Sequence, residues 1–283
     1  MKAFRYLASH WLETLRDRRF KLAKPSDLND PFDCAGAFTG ILPKKVRREK
    51  AVKYLKSPYC DISSTLTRVE RRKEERRQMK DIERRYSEHY STRANEILRS
   101  KSGVDQSIRM LCASLTGIDS DGKSADNDSS EILMWSHYAD CHKGLRIGID
   151  TSALPSDLNI KGCQVQYSNE RPVYDLSQGE DYASTPFAAD LIRRKALPWS
   201  YENEVRLLIQ PVHCIHGETD KQTPASFLPF SEDFIWRVDF GMAMPEEEQQ
   251  SCMEILSRLY PHVAVYKARH HKTDYRIYYE PLK

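Results

Sequence analysis

The segment Glu131-Ile-Leu-Met-Trp-Ser-His-Tyr-Ala-Asp-Cys-His-Lys-Gly144 runs directly into Leu145-Arg-Ile-Gly-Ile-Asp150, and this junction constrains the fold more than any other stretch. Its first part has the spacing of a helix over about residues 130–141, with Asp128 and Glu131 placed as a capping box and Gly144 placed to end it. In its second part Leu145, Ile147 and Ile149 alternate with Arg146, Gly148 and Asp150, as in a half-buried strand. A similar layout occurs at Trp199-Ser-Tyr-Glu-Asn-Glu-Val-Arg206, where a polar-aromatic cluster leads into an alternation over Val205–Val212. The two clusters look like halves of one site.

The same periodicities extend along the chain. Strands are expected at Ala3–Leu7, Arg19–Ala23, Ile108–Leu115, Gln164–Tyr167, Ile235–Val238, Val263–Ala268 and Tyr275–Glu280. Helices are expected at His10–Arg18, 186–197 and Pro245–Tyr260. Lys24-Pro-Ser-Asp-Leu-Asn-Asp-Pro-Phe-Asp33 is a turn-rich loop, since both prolines disfavour helix at the residue before them. Residues 116–130, with Gly117, Gly122 and several aspartates, form a polar loop. Strands and helices are interspersed without a βαβ rhythm, which predicts an α+β fold built on a mixed, mostly antiparallel sheet.

Residues 44 to 101 differ in character: apart from a break near Ser57-Pro58 they are helical in pattern and crowded with charge. Opposite charges at i,i+4 spacing support a solvated helical insertion. Arg68, Arg71, Arg72, Arg76 and Arg77 could instead make a basic face for nucleic acid, although the interleaved glutamates oppose phosphate attraction.

Composition narrows the class. The 283 residues suffice for a real core, and 44 basic against 41 acidic residues leave a net charge of +3, so the whole chain is not a polyanion binder by charge alone. No apolar run approaches the ~20 residues of a membrane span. Met1-Lys-Ala-Phe-Arg-Tyr6 lacks the apolar stretch of a secretion signal. Seven scattered cysteines predict reduced thiols in a cytoplasmic protein.

Three groups of residues could carry chemistry. If the later strand begins near Glu202, then Glu202, Glu204 and Arg206 share one face. Two carboxylates about 7 Å apart would then repel, and Arg206 would hold its nearer neighbour ionised. Such a carboxylate suits an oxocarbenium-like centre or a ribose hydroxyl; the alternative is a row of surface charges on an edge strand. Trp135, Tyr138 and His142, at steps of three and four, would line one helical face able to stack a planar ring and offer a hydroxyl and an imidazole. The alternative there is an aromatic face buried in the core. His137 with Cys141, and His270-His271, fit no Cys-x-x-Cys or His-Glu-x-x-His pattern, so no metal is expected. Cys34, Cys112 and Cys141 lack a nucleophile signature, and no phosphate-binding glycine loop occurs.

With these residues in place, the chain resembles the bacterial DUF2971 family, whose function is unassigned. The motifs are Phe4-Arg-Tyr6, Leu28-Asn-Asp-Pro-Phe-Asp33, Met134-Trp-Ser-His-Tyr-Ala139 with His142-Lys-Gly144, and Tyr167 through Arg171-Pro172. Lys195 with Trp199-x-Tyr-Glu-Asn-Glu-x-Arg206, and Val-Asp-Phe-Gly241, complete the set. The resemblance implies one domain over 1–283, with a helical insertion at about 44–102.

More remotely the layout is similar to ADP-ribosyltransferases, which implies their fold and NAD as the substrate consumed. By that resemblance Glu204 would bond the ribose 2′-hydroxyl and stabilise the oxocarbenium, Glu202 would take the acceptor's proton, and Tyr138 would stack on nicotinamide. Arg5 would hold the NAD phosphates or ribose, with Tyr6, Asn29, Asp30, Trp135, His142 and Arg206 as further cofactor-binding residues. The first-strand motif is Arg-Tyr rather than His, and Cys112-Ala-Ser114 stands where a Ser-Thr-Ser run is usual. The expected activity is an NAD-consuming transferase in phage defence or a toxin system, acting on a protein or nucleic-acid acceptor. A nuclease using His137 or His142, its phosphates held by the 44–101 helices, and a non-catalytic ligand sensor are the competing expectations.

Overall fold

The computed structural model describes residues 1–8, 11–57, 60, 62, 65–88, 106–118, 130–178 and 186–282. His10, Pro58, Gly122, Asp128 and the insertion beyond residue 88 lie outside the described residues. The chain begins with β1 (Lys2–Leu7), α1 (Trp11–Asp17), β2 (Arg19–Leu22), β3 (Ala37–Thr39), α2 (Lys44–Leu55) and α3 (Arg68–Glu88). It continues with β4 (Arg109–Ser114), α4 (Glu131–Tyr138), β5 (Leu145–Asp150), β6 (Lys161–Gln164), β7 (Gln166–Ser168) and β8 (Val173–Asp175). Next come α5 (Pro186–Arg193), β9 (Arg194–Ala196), β10 (Glu204–Ile209), β11 (Ile215–Glu218) and β12 (Pro224–Pro229). The last elements are β13 (Ile235–Phe240), α6 (Glu246–Leu259), β14 (Ala264–His270) and β15 (Ile277–Pro281).

The chain divides into two compact units: Met1–Leu28 with Val104–Tyr167 and Ala196–Lys283, and Asn29–Gly103 with Ser168–Lys195. The first is built on an eight-stranded sheet in the order β15-β14-β13-β5-β1-β4-β10-β6. Its documented pairings are antiparallel except β13 with β14, which are joined through the α6 crossover a parallel pair requires. The fold is therefore α+β with a mostly antiparallel sheet, as the irregular element order predicts.

Both faces of this sheet are covered. Ala3, Leu111, Ile147, Val205, Leu207 and Val238 join the same apolar cluster as Leu15 of α1 and Leu256 of α6. Phe4 and Tyr6 belong to a second cluster, with Trp135 of α4 and Tyr279 of β15. The half-buried strand expected over residues 145–150 is consequently buried on both sides, and Arg146 is fully enclosed. Arg146 Nε donates to Asp239 Oδ2 at 2.6 Å and Nη1 donates to Glu131 Oε1. Its guanidinium lies 3.9 Å from the Phe4 ring centroid and 4.0 Å from that of Tyr279. A charge removed from water is tolerable only with such partners.

Helix α4 stops at Tyr138, short of the expected Cys141, because Asp140, Cys141 and His142 take successive φ values of 48°, 50° and 67°. Left-handed backbone at three non-glycine residues is unfavourable, and the surroundings hold it. A Cβ on Gly144 would stand 2.0 Å from Leu7 O, and one on Gly241 would stand 2.0 Å from His142 O. The two glycines thus let this turn close against the ends of β1 and β13.

In the second unit Phe38, Leu42, Tyr174, Leu176, Phe187 and Leu191 form the core, with Val46 of α2 resting on it. A short pair the alternation does not reveal, β3 parallel to β8, crosses this core. The expected helix over 186–197 ends at Arg193 and passes into β9. Helices α2 and α3 pack together. A capping box of Thr67 with Glu70 precedes α3, whose charges pair along the helix as Arg77–Glu74, Arg84–Asp81 and Arg85–Asp81.

Candidate functional site

The turn that delivers Glu202 and Glu204 is set by one asparagine. Leu197–Glu202 is a 3-10 segment, and Asn203 closes it at φ 41°, a conformation asparagine tolerates better than most residues. Strand β10 therefore begins at Glu204, and the expected row of Glu202, Glu204 and Arg206 on one strand face does not form. Glu204 and Arg206 keep their shared face, whereas Glu202 sits before the strand. Nor is β10 an edge, since β4 and β6 flank it.

The displaced Glu202 meets the other cluster. Tyr138 Oη donates a hydrogen bond to Glu202 Oε1. One residue earlier on each segment, His137 Nδ1 and Tyr201 Oη share a hydrogen bond of 2.8 Å. The 131–144 and 199–206 segments, far apart in sequence, thus meet through these side-chain hydrogen bonds. The end of β4 anchors the turn beneath them. Ser114 Oγ donates to Glu202 O at 2.5 Å, Thr116 Oγ1 donates to Tyr201 O at 3.2 Å, and Leu115 N donates to Asn203 O at 2.9 Å. Thr116 was legible only as the start of a polar loop; the Ser-Leu-Thr step at a strand end is the signal for its anchoring role.

Behind the turn, Arg206 grips Glu204 with two hydrogen bonds, Nε to Oε1 at 2.8 Å and Nη2 to Oε2 at 3.0 Å. The side chains are 0% and 6% exposed. Glu204 N donates to Tyr167 Oη at 2.8 Å. The bidentate fork fixes the carboxylate plane. Cys112 lies opposite Arg206 on β4. Burial, reinforced by the Glu204 carboxylate, pushes its thiol well above the usual range, which disfavours a thiolate nucleophile. Arg5 reaches toward the same place from β1, its Nη1 donating to Cys112 O at 2.5 Å. Its Nε is buried with no hydrogen-bond partner.

The remaining expected ligand residues fall elsewhere. Trp135 is fully buried; it packs edge-on against Tyr6, lies parallel to His142, and donates through Nε1 to Tyr279 Oη at 3.0 Å. Its rings and those of Tyr6, also buried, are core rather than an open stacking surface. His142 is not on the helical face its spacing suggested; the left-handed turn carries it past the helix end. There its Nε2 shares a hydrogen bond of 3.1 Å with Ser136 Oγ, while burial lowers its proton affinity below the usual histidine range. Asn29 and Asp30 belong to the second unit. Asp30 is buried and accepts from Phe32 N at 2.8 Å, so it shapes the Asn-Asp-Pro-Phe-Asp turn. The same unit brings Lys195 Nζ to 3.7 Å from Asp33 Oδ2, and Arg171 Nη2 donates to Gly36 O at 2.6 Å. An acidic cluster of Glu13, Asp17 and Asp220 is already bridged by Arg16 and Arg19.

Among the described residues no helix is long and apolar enough to cross a membrane. No curated protein and no solved structure matches the chain. A family model described as a protein of unknown function (DUF2971) matches residues 134–207, which include Tyr138, Glu202, Glu204 and Arg206, and so supports the resemblance to that family over the two segments that meet.

Proposed function

We propose that the first unit is an ADP-ribosyltransferase-like catalytic fold that consumes NAD, with the turn at Glu202–Glu204 as its reacting centre. The observation that carries this reading is the adjacency of three strands. Phe4 on β1 and Glu204 on β10 are both register partners of Ser114 on β4, so Phe4, Ser114 and Glu204 lie at one level across two strand spacings of about 5 Å each, and Arg5, next to Phe4, reaches the intervening strand through its Nη1 bond to Cys112 O. The unpartnered Arg5 Nε supplies a donor for a phosphate or ribose oxygen. Tyr138, held by Glu202, offers an aromatic ring near the same turn.

In this reading the C1′–N bond of the nicotinamide riboside breaks and nicotinamide leaves with the bonding pair. Glu204, oriented by Arg206, bonds the ribose 2′-hydroxyl and stabilises the positive charge on the ribosyl carbon. An acceptor nucleophile attacks that carbon and Glu202 takes its proton; with water in that place the reaction is hydrolysis of NAD. The histidine-based nuclease reading has less support, because His137 is bonded to Tyr201 while burial and the Ser136 bond engage His142.

The test is incubation with NAD, following nicotinamide release and thermal stabilisation in the wild type and in Glu204→Gln. Release should fall about 10²-fold or more in the variant while stabilisation by NAD is largely kept, as for loss of a transition-state stabiliser. Retained release in Glu204→Gln, or neither release nor stabilisation in the wild type, overturns the assignment. Stabilisation without release, across protein and nucleic-acid acceptors, would make the unit a ligand sensor instead.

A further inference from the structure

A groove of about 950 Å³ runs along α2, lined by five cations, Lys44, Lys45, Arg48, Lys53 and Lys56, and one acid, Glu49. All six side chains are exposed. They fall in two adjacent rows at i,i+4 spacing and so occupy one face of the helix. From Lys44 to Lys56 that face is about 18 Å long at the helical rise. The packing role belongs to other positions, since Ala51 is buried and Val46 rests on the core of the second unit.

Unlike three of the arginines of α3, these cations are not neutralised locally. Arg77, Arg84 and Arg85 each have an acidic partner on their own helix, whereas no ion pair among the described residues engages the five groove cations. Their placement also runs against helix stability. Lys44 and Lys45 stand in the first turn of α2, where the helix dipole disfavours positive charge, while α6 opens with Glu246, Glu247 and Glu248 as the dipole prefers. Among the described residues no aromatic side chain lines the groove, and Val52 is its only apolar contributor. A surface of that kind can hold phosphates but has nothing to stack on bases, and it lacks the broad apolar face of a helix that lies in a membrane interface.

We propose that this face of α2 docks the phosphodiester backbone of a nucleic acid strand, without regard to its sequence. The proposal is independent of the NAD reading and does not need it. Five cations against one acid neutralise about four phosphates. The logarithm of affinity should then fall with the logarithm of salt at a slope of about −2.8 for a single strand and about −3.6 for duplex DNA. Raising salt from about 50 to about 200 mM should therefore weaken single-strand binding about 50-fold.

Fluorescence anisotropy of the full chain with a labelled single-stranded RNA, and separately with a DNA duplex, measures this. Lys44→Glu/Arg48→Glu/Lys53→Glu should lose roughly tenfold or more in affinity and flatten the salt slope, while Arg77→Glu/Arg84→Glu on α3, whose charges are already paired, should stay within about twofold. The Gln-substituted triple variant covers the case in which reversed charges disturb the helix, and should lose affinity in the same direction. Absence of binding at low salt, equal loss in the α3 variant, or a slope near zero overturns the proposal. So does competition by anionic vesicles or polyglutamate as strong as by RNA, which would reassign the surface to a membrane or an acidic protein.

Discussion

Replacing Arg206 by methionine removes one side of a fork whose two side chains are 0% and 6% exposed. Methionine fills much of the same volume, so the loss is mainly electrostatic: Glu204 keeps its carboxylate in a place from which water is excluded. Breaking a buried pair by deleting one partner costs about 3–5 kcal/mol, because the surviving charge has lost its compensation. At about 2–4 °C per kcal/mol for a domain of this class, Tm should fall by roughly 6–20 °C. Glu204→Gln leaves the enclosed Arg206 guanidinium without this counter-charge and should fall at the lower end of the same range, about 3 kcal/mol, since the amide oxygen can still accept a hydrogen bond from it. Combining the two changes removes both charges and should recover a large part of the Arg206→Met loss, giving a coupling energy well above the few tenths expected of independent sites. Calorimetry of the four species completes the cycle. A fall of less than about 2 °C in Arg206→Met, or strict additivity in the double variant, would refute the view that a desolvated pair positions Glu204. The same cycle calibrates the NAD experiment, because a Glu204→Gln variant that remains folded at the assay temperature reports chemistry rather than unfolding.

Gly144→Ala should destabilise the protein by about 1–3 kcal/mol or more, since its methyl group would meet Leu7 O at 2.0 Å and Ala139 O at 3.1 Å, both backbone atoms unable to rotate away. Urea denaturation measures this, and a cost below about 0.5 kcal/mol would contradict the packing described. For pH, burial lowers the proton affinity of His142 in the folded state. The unfolded chain therefore takes up its proton first, at about pH 6.5, and stability should fall as pH drops from there through the folded value. Tm against pH should show that decline in the wild type and a flatter line in His142→Gln; identical slopes would remove His142 as its source.

Local periodicity made most of the first unit legible, and what it missed was decided by contacts distant in sequence. The runs at Lys2–Leu7, Arg109–Ser114 and Leu145–Asp150 declare themselves by their apolar alternation, and they are neighbours in the main sheet. The burial of Arg146 was not visible, because a second cover over that face depends on Phe4 and Tyr279 arriving from opposite ends of the chain. The left-handed turn at 140–142 had no glycine to mark it, and the glycines that permit it, Gly144 and Gly241, lie outside it.

At the candidate site the residue types were the right ones to single out, but their geometry was misread for a local reason: Asn203 breaks the strand between the two glutamates. Continuous alternation would have put both carboxylates on one face and forced them to repel. The break separates their partners instead, giving Glu204 to a buried arginine and Glu202 to the Tyr138 hydroxyl. Carboxylates with such different partners are suited to different tasks, the first fixed in orientation by its fork, the second joined to a group that can exchange a proton. In this chain an asparagine that tolerates positive φ is what divides one acidic motif into two environments.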